Sequence, residues 1–120
     1  MTARISRRGH APAYRAPLHE GVITTRLQGH EAGPTDRFWV GHSTYPPGSR
    51  ALTSATVAET VYVCLAGELD LTVEEQGATW TQTLGAGDCA HLTEATVRSV
   101  VNTSEQEAEL LVIVATPQHD

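Results

Sequence analysis

The sequence predicts an all-β domain, an antiparallel sandwich or barrel, and three features of the chain carry that expectation. Apolar and polar residues alternate over short runs, turn residues recur roughly every 8–12 positions, and no stretch keeps a helical period. The clearest alternation is Leu69, Leu71 and Val73 against Glu68, Asp70 and Thr72. That pattern places one apolar face of a strand on a core.

In chain order, residues 1 to 20 hold Arg4, Arg7, Arg8 and Arg15 with Pro12 and Pro17 and show no period. They are expected to form an arm, frayed or strapped across a neighbouring subunit, with the barrel domain spanning 21–120. Strands are expected at 22–28, at 38–45 before the Pro46-Pro47-Gly48 turn, and at 61–65 before Gly67. The alternating 69–73 run turns at Gln76-Gly77 into 79–84. After Gly85-Ala86-Gly87-Asp88 come 89–92 and 97–101, and 109–115 ends the series. The only helix candidate, 53–59, is poor because its β-branched residues disfavour a helix. The spacing of turns predicts about nine strands in all.

Composition narrows the function. A chain of 120 residues, 40% hydrophobic and 18% charged, makes one globular domain. Its net charge of −6 argues against nucleic acid as a partner, since phosphate backbones need a basic surface. All eight basic residues are Arg, so a lysine Schiff base is excluded. No apolar run approaches a membrane span, and the N-terminal stretch lacks the apolar core of a secretory signal. Cys64 and Cys89 are too few for a disulfide scaffold and read as buried free thiols, which points to a cytoplasmic home.

Two stretches carry a resemblance to a known family. In PPGSRALTSATVAETVYVCLAG, residues 46–67, Gly48 and Gly67 stand where a Gly-x5-His-x-His-x3-Glu-x6-Gly motif has its glycines. In GAGDCAHLTEATVRSVVN, residues 85–102, Gly87 and Asn102 frame a Gly-x5-Pro-x-Gly-x2-His-x3-Asn motif. The chain thus resembles the cupin superfamily, which implies a jelly-roll β-barrel (double-stranded β-helix) and a homodimer. The resemblance also implies a metal site of three His and one Glu, but none of those ligands is kept. Ser54 and Thr56 hold the first two His positions, Thr60 the Glu position and Arg98 the last His. Hydroxyls are weak ligands and a guanidinium has no lone pair to give, so neither a metal nor another cofactor is expected.

Arg98 is the leading candidate residue. On the motif's frame it enters the barrel, where an unpaired guanidinium is costly and an anion would relieve it. A structural ion pair to Glu59 or Glu94 is the alternative. Ser54, Thr56 and Thr60 would line the opposite wall, with Tyr62 on the Thr60 face by strand period. His42 and His91 lie within strands and are the candidates for moving a proton near neutral pH. Together the histidines could form a relocated metal site. Trp39 and Tyr45 share a strand face and suit an aromatic wall for a ligand. His30 sits in a loop, QGHEAGPTD, that could cover the barrel mouth, whereas His10, His19 and His119 lie in terminal stretches and are expected in solvent. Trp80 would cover a hairpin edge or a subunit contact.

The expected function is a metal-independent enzyme catalysing proton transfer (isomerisation, cyclisation or elimination) on a small carbonyl- or carboxylate-containing molecule. Arg98 would hold the developing oxyanion, with His42, His91 or Tyr62 moving the proton. The alternative is a non-catalytic barrel that binds a small acidic ligand or regulates a partner.

Overall fold

A computed structural model describes residues 3–116. Ten strands form two five-stranded sheets. The first sheet runs β1 (His19–Glu20), β4 (Arg50–Ala55), β9 (Val97–Val101), β6 (Glu68–Glu75), β7 (Ala78–Gly85). The second runs β2 (Ile23–Gln28), β3 (Phe38–Tyr45), β10 (Ala108–Ala115), β5 (Thr60–Ala66), β8 (Cys89–Leu92). All pairings are antiparallel, and the architecture is a jelly roll. Among the described residues no helix is long and apolar enough to cross a membrane.

Burial follows the alternation read from the sequence. Leu69, Leu71 and Val73 are buried, and Val100 joins them from the neighbouring strand β9. Cys64, Leu110 and Tyr62 face them from the second sheet. Cys64 is a core thiol whose pKa burial raises, whereas Cys89, expected inside, is exposed. The reason is position: Cys89 lies on the edge strand β8 and pairs with Val63, whose neighbours Tyr62 and Cys64 take the inward face.

The helix candidate at 53–59 is instead the end of β4 followed by a bend within 56–59. A register shift between Ala51 and Ser54 breaks its period of two, so the alternation that would have marked it is absent. The N-terminal segment lies along its own barrel. Tyr14 N donates to Thr24 O at 3.1 Å, Arg26 N to Pro12 O at 2.8 Å, and Leu52 N to Leu18 O at 2.7 Å. Residues 19–20 then add strand β1 to the edge of β4.

The motif's glycines mark the sharp corners. Ser49 N donates to Pro46 O at 3.0 Å across a turn in which Gly48 has φ +83°, the type II geometry that calls for glycine at that place. Gly67 has φ +71°, and a Cβ there would stand 2.6 Å from the Glu107 carbonyl oxygen. Asn102 links the two motifs. Its buried amide donates to the Tyr45 and Gln106 carbonyls at 2.8 and 2.7 Å, and its oxygen accepts from Ser104 N at 2.9 Å. Its backbone bonds Gly48 and Ser49, so one residue ties the first motif's turn to the loop between β9 and β10. Asn102→Ala leaves these buried groups unsatisfied and is expected to cost about 2–4 kcal/mol. Urea denaturation checks this through a lower midpoint at unchanged slope.

Candidate functional site

One end of the sandwich opens into a cavity of about 450 Å³. Its walls come from β3, β4, β5, β9 and β10, and the arm segment 14–19 crosses its mouth. Inward alternation on β3 brings Trp39, Ser43 and Tyr45 to the wall, and on β10 it brings Leu110, Val112 and Val114. The cavity is therefore apolar on one side and polar where β4 and β9 meet.

Arg98 occupies that polar wall and spans the two sheets. Register sets Ser54 directly opposite it on β4, and Arg98 Nη1 donates to Ser54 Oγ at 2.7 Å and to the Leu52 carbonyl at 3.4 Å. Its Nε donates to the Tyr62 hydroxyl oxygen at 2.8 Å from the opposite sheet. Tyr62 is thus an acceptor from the cation, and its own O–H proton remains available. The acidic partners considered from sequence are not used: Glu59 pairs with His91, and no ion pair of Arg98 occurs among the described residues.

The remaining wall residues divide by what their polar atoms already do. Thr56 Oγ1 donates to the Thr93 carbonyl at 2.7 Å and accepts from Thr96 N at 3.0 Å. Thr60 Oγ1 donates to the Ala58 carbonyl at 2.9 Å. Both line the cavity, yet their hydroxyls fasten the backbone, so the expected hydroxyl patch reduces to Ser54. Trp39 and Tyr45 line the same wall, and burial pushes the Tyr45 phenol far above its usual range. The Arg26 guanidinium lies 3.7 Å from the Tyr14 ring centroid and 4.3 Å from that of Trp39, which fixes both rings at the mouth. His30, in the short turn His30–Ala32, meets Trp39 edge-on and lines the cavity, as its loop position led one to expect.

His42 and His91 stand outside this cavity, a correction to the proton-moving roles first considered. His42 falls between the inward-facing Gly41 and Ser43 positions and so points to the outer face. There its Nε2 meets Glu109 at 2.8 Å, and Arg8 pairs with the same carboxylate. His91 lies on the exposed outer side of β8, 2.6 Å from Glu59. His10 is exposed; His119 lies outside the described residues. Trp80 is partly exposed on edge strand β7 and donates to Glu75 at 3.2 Å.

The histidine that does enter the wall is His19, which sequence reasoning had left in solvent. Strand β1 sets it opposite Ala51, and its Nδ1 lies 2.7 Å from the Pro17 carbonyl. A carbonyl only accepts, so Nδ1 carries the proton and Nε2 of the neutral ring keeps its lone pair. Burial, reinforced by the Arg98 charge and opposed by the Pro17 bond, lowers its pKa. The sequence signal was faint: a short edge strand between Pro17 and Gly21.

Metal fits none of this. The four positions that hold ligands in the family's motif carry two threonines, a serine and a guanidinium, and the threonine hydroxyls are committed to backbone. Among the described residues no group of three or more His, Cys, Asp or Glu converges for a cation. The relocated site is not built either, because His30, His42 and His91 occupy the cavity mouth, the outer face and the β8 edge.

The family model described as "Cupin domain" matches residues 41–114. The chain belongs to the cupin family. Its sequence is 49% identical over 114 residues, 95% of each chain, to the protein named beta-D-galactosidase Rv1717 from Mycobacterium tuberculosis strain ATCC 25618 / H37Rv. Among solved structures this cupin resembles the polyketide cyclase RemF from Streptomyces resistomycificus, with TM-score 0.81 and 20% identity over 100% of this chain and 83% of that one. It also resembles an RmlC-like cupin from Shewanella frigidimarina, with TM-score 0.74 and 15% identity over 99% and 96%. The Drosophila melanogaster CENP-C structure bound to CAL1 gives TM-score 0.72 and 15% identity over 93% and 85%. At these identities the solved structures share the fold.

His19 is expected to titrate below the ordinary value of 6.5 in an NMR pH series, with the proton on Nδ1 in the neutral form. Because the folded state binds this proton less readily than the unfolded chain, its contribution to stability is complete above pH ~6.5 and falls away as pH drops through the folded pKa. Arg98→Met should move the midpoint upward; an unchanged midpoint would remove Arg98 from its surroundings.

Proposed function

We propose that this cupin is an acid–base enzyme that cleaves a β-galactoside in the Arg98 cavity without a metal. The observation that carries this reading is that the Arg98–Tyr62–Ser54 cluster and His19 line one cavity of sugar-accommodating size. The named activity of a relative at 49% identity supplies the substrate class. A Trp and a Tyr at the mouth suit stacking on a sugar ring.

Hydrolysis by the usual pair of carboxylates has no counterpart among the described residues, since no Asp or Glu of theirs lines the cavity. In our reading His19 Nε2 accepts a proton from the attacking water, the glycosidic C–O bond breaks, and Tyr62 gives its phenolic proton to the departing oxygen. Arg98 Nε, already donating to Tyr62, stabilises the phenolate that results. The proton on His19 then returns to Tyr62 through solvent, restoring both groups.

A specific feature favours a second reading. A guanidinium stabilises a developing oxyanion and opposes the positive charge of a sugar oxocarbenium ion. Isomerisation or cyclisation of a carbonyl compound, through an enolate held at Arg98, uses that charge directly.

The deciding assay is release of nitrophenol from 4-nitrophenyl β-D-galactosides, plain and acid-substituted, against their α-anomers. The β-galactosides should be turned over selectively, and His19→Gln should lower kcat by about 10²–10⁴, as Tyr62→Phe should with an alkyl β-D-galactoside whose leaving group needs the proton, while the far-UV CD spectrum is retained. No turnover of any β-galactoside, or equal rates for both anomers, would defeat the galactosidase reading. Ligand binding without turnover would make the chain a binding cupin.

A further inference from the structure

The chain is acidic, with 14 Asp and Glu against eight Arg, yet the cavity reverses that balance. Arg15, Arg26 and Arg98 line it, and among the described residues no carboxylate does. Arg26 is answered by Glu31, whose oxygen lies 3.0 Å from its Nε. Arg15 and Arg98 have no ion pair among the described residues.

Arg98 is satisfied at one end only. Nε is spent on Tyr62, and Nη1 on Ser54 and Leu52. These partners are neutral, so the guanidinium keeps its whole charge. Nη2 donates to no described residue, and no buried side-chain nitrogen lacks a partner. Nη2 therefore opens onto the cavity that Arg98 lines. A half-buried cation held rigidly by neutral groups, with two N–H donors facing open space, is preorganised for an anionic oxygen. A neutral galactoside would fill the space and leave the charge unanswered.

We propose that the sugar taken by this cavity is itself an anion, a galactoside bearing a carboxylate or a phosphate, whose charged oxygens accept from Nη2 of Arg98. Arg15 at the mouth adds to the field that draws it in. This deepens the galactosidase reading and rests on it for the sugar; the anion site rests on the charge balance alone.

The test compares three substrates with the intact chain: 4-nitrophenyl β-D-galactopyranoside, its 6-phosphate, and 4-nitrophenyl β-D-galacturonide. At least one anionic form should exceed the neutral one by about tenfold or more in kcat/KM, and which of the two does so identifies the charged group. In parallel, galactose 6-phosphate and galacturonate should raise the melting temperature more than galactose does, by an increment that shrinks with added salt. Arg98→Gln should abolish that difference. Arg15→Gln, at an exposed position, should weaken it severalfold and serves if the Arg98 variant does not fold. Cleavage of the neutral galactoside as fast as both anionic ones would overturn the inference and leave the galactosidase reading intact. Anion-selective, salt-sensitive binding with no cleavage of any of the three would uphold the anion site and defeat the hydrolytic reading. No preference for the anionic sugars in either measurement would overturn the inference.

Discussion

A single positive charge that cannot be neutralised governs the interior of this barrel. Arg98 stands on an inward position of β9 where the family's motif has a metal-binding histidine, and a guanidinium keeps its proton at any ordinary pH. The surroundings are arranged around that fact. Ser54 is placed across from it by the β4–β9 register, the Leu52 carbonyl is within reach beside the β4 irregularity, and Tyr62 crosses from the other sheet. All three are neutral, so they satisfy the hydrogen bonds and leave the charge in place.

The same charge gives meaning to the N-terminal segment. By pairing with β2 and β4, residues 12 to 20 close the cavity mouth and carry His19 into the wall. There the ring feels Arg98, which helps hold it neutral and able to accept a proton. A barrel whose motif positions carry no metal donors thereby has an imidazole in its cavity wall from outside the barrel motif. The Arg26 side chain, stacked on Tyr14 and Trp39, locks that segment to β3 through rings rather than through backbone bonds alone.

Much of this was legible in the residues. Alternation on β6 and the spacing of Gly48, Gly67, Gly87 and Asn102 were enough for the fold, because each marks a corner or a buried link whose geometry few other residues supply. Tyr62, Trp39 and Tyr45 reached the cavity as their strand phase suggested, and Arg98 and Ser54 as the motif's frame did. The histidines were the failure. His42 and His91 look like lumen residues until the register is known, since one step along a strand exchanges the faces. His19 was invisible because a two-residue edge strand has no period to read, and its partner β4 hides behind an irregularity at Ala51. Thr56 and Thr60 were found in the right place with their hydroxyls already spent, a matter of local turns that spacing does not report.

The chemistry proposed for this cupin runs through a guanidinium and protons in place of a metal. It is tested most directly by measuring turnover of a cleaved β-galactoside before and after exhaustive chelation, with metal content read on the same samples by ICP-MS. The expected result is an unchanged rate in protein that holds no stoichiometric metal. A rate that falls with chelation and returns on adding iron, manganese, nickel or zinc would contradict it.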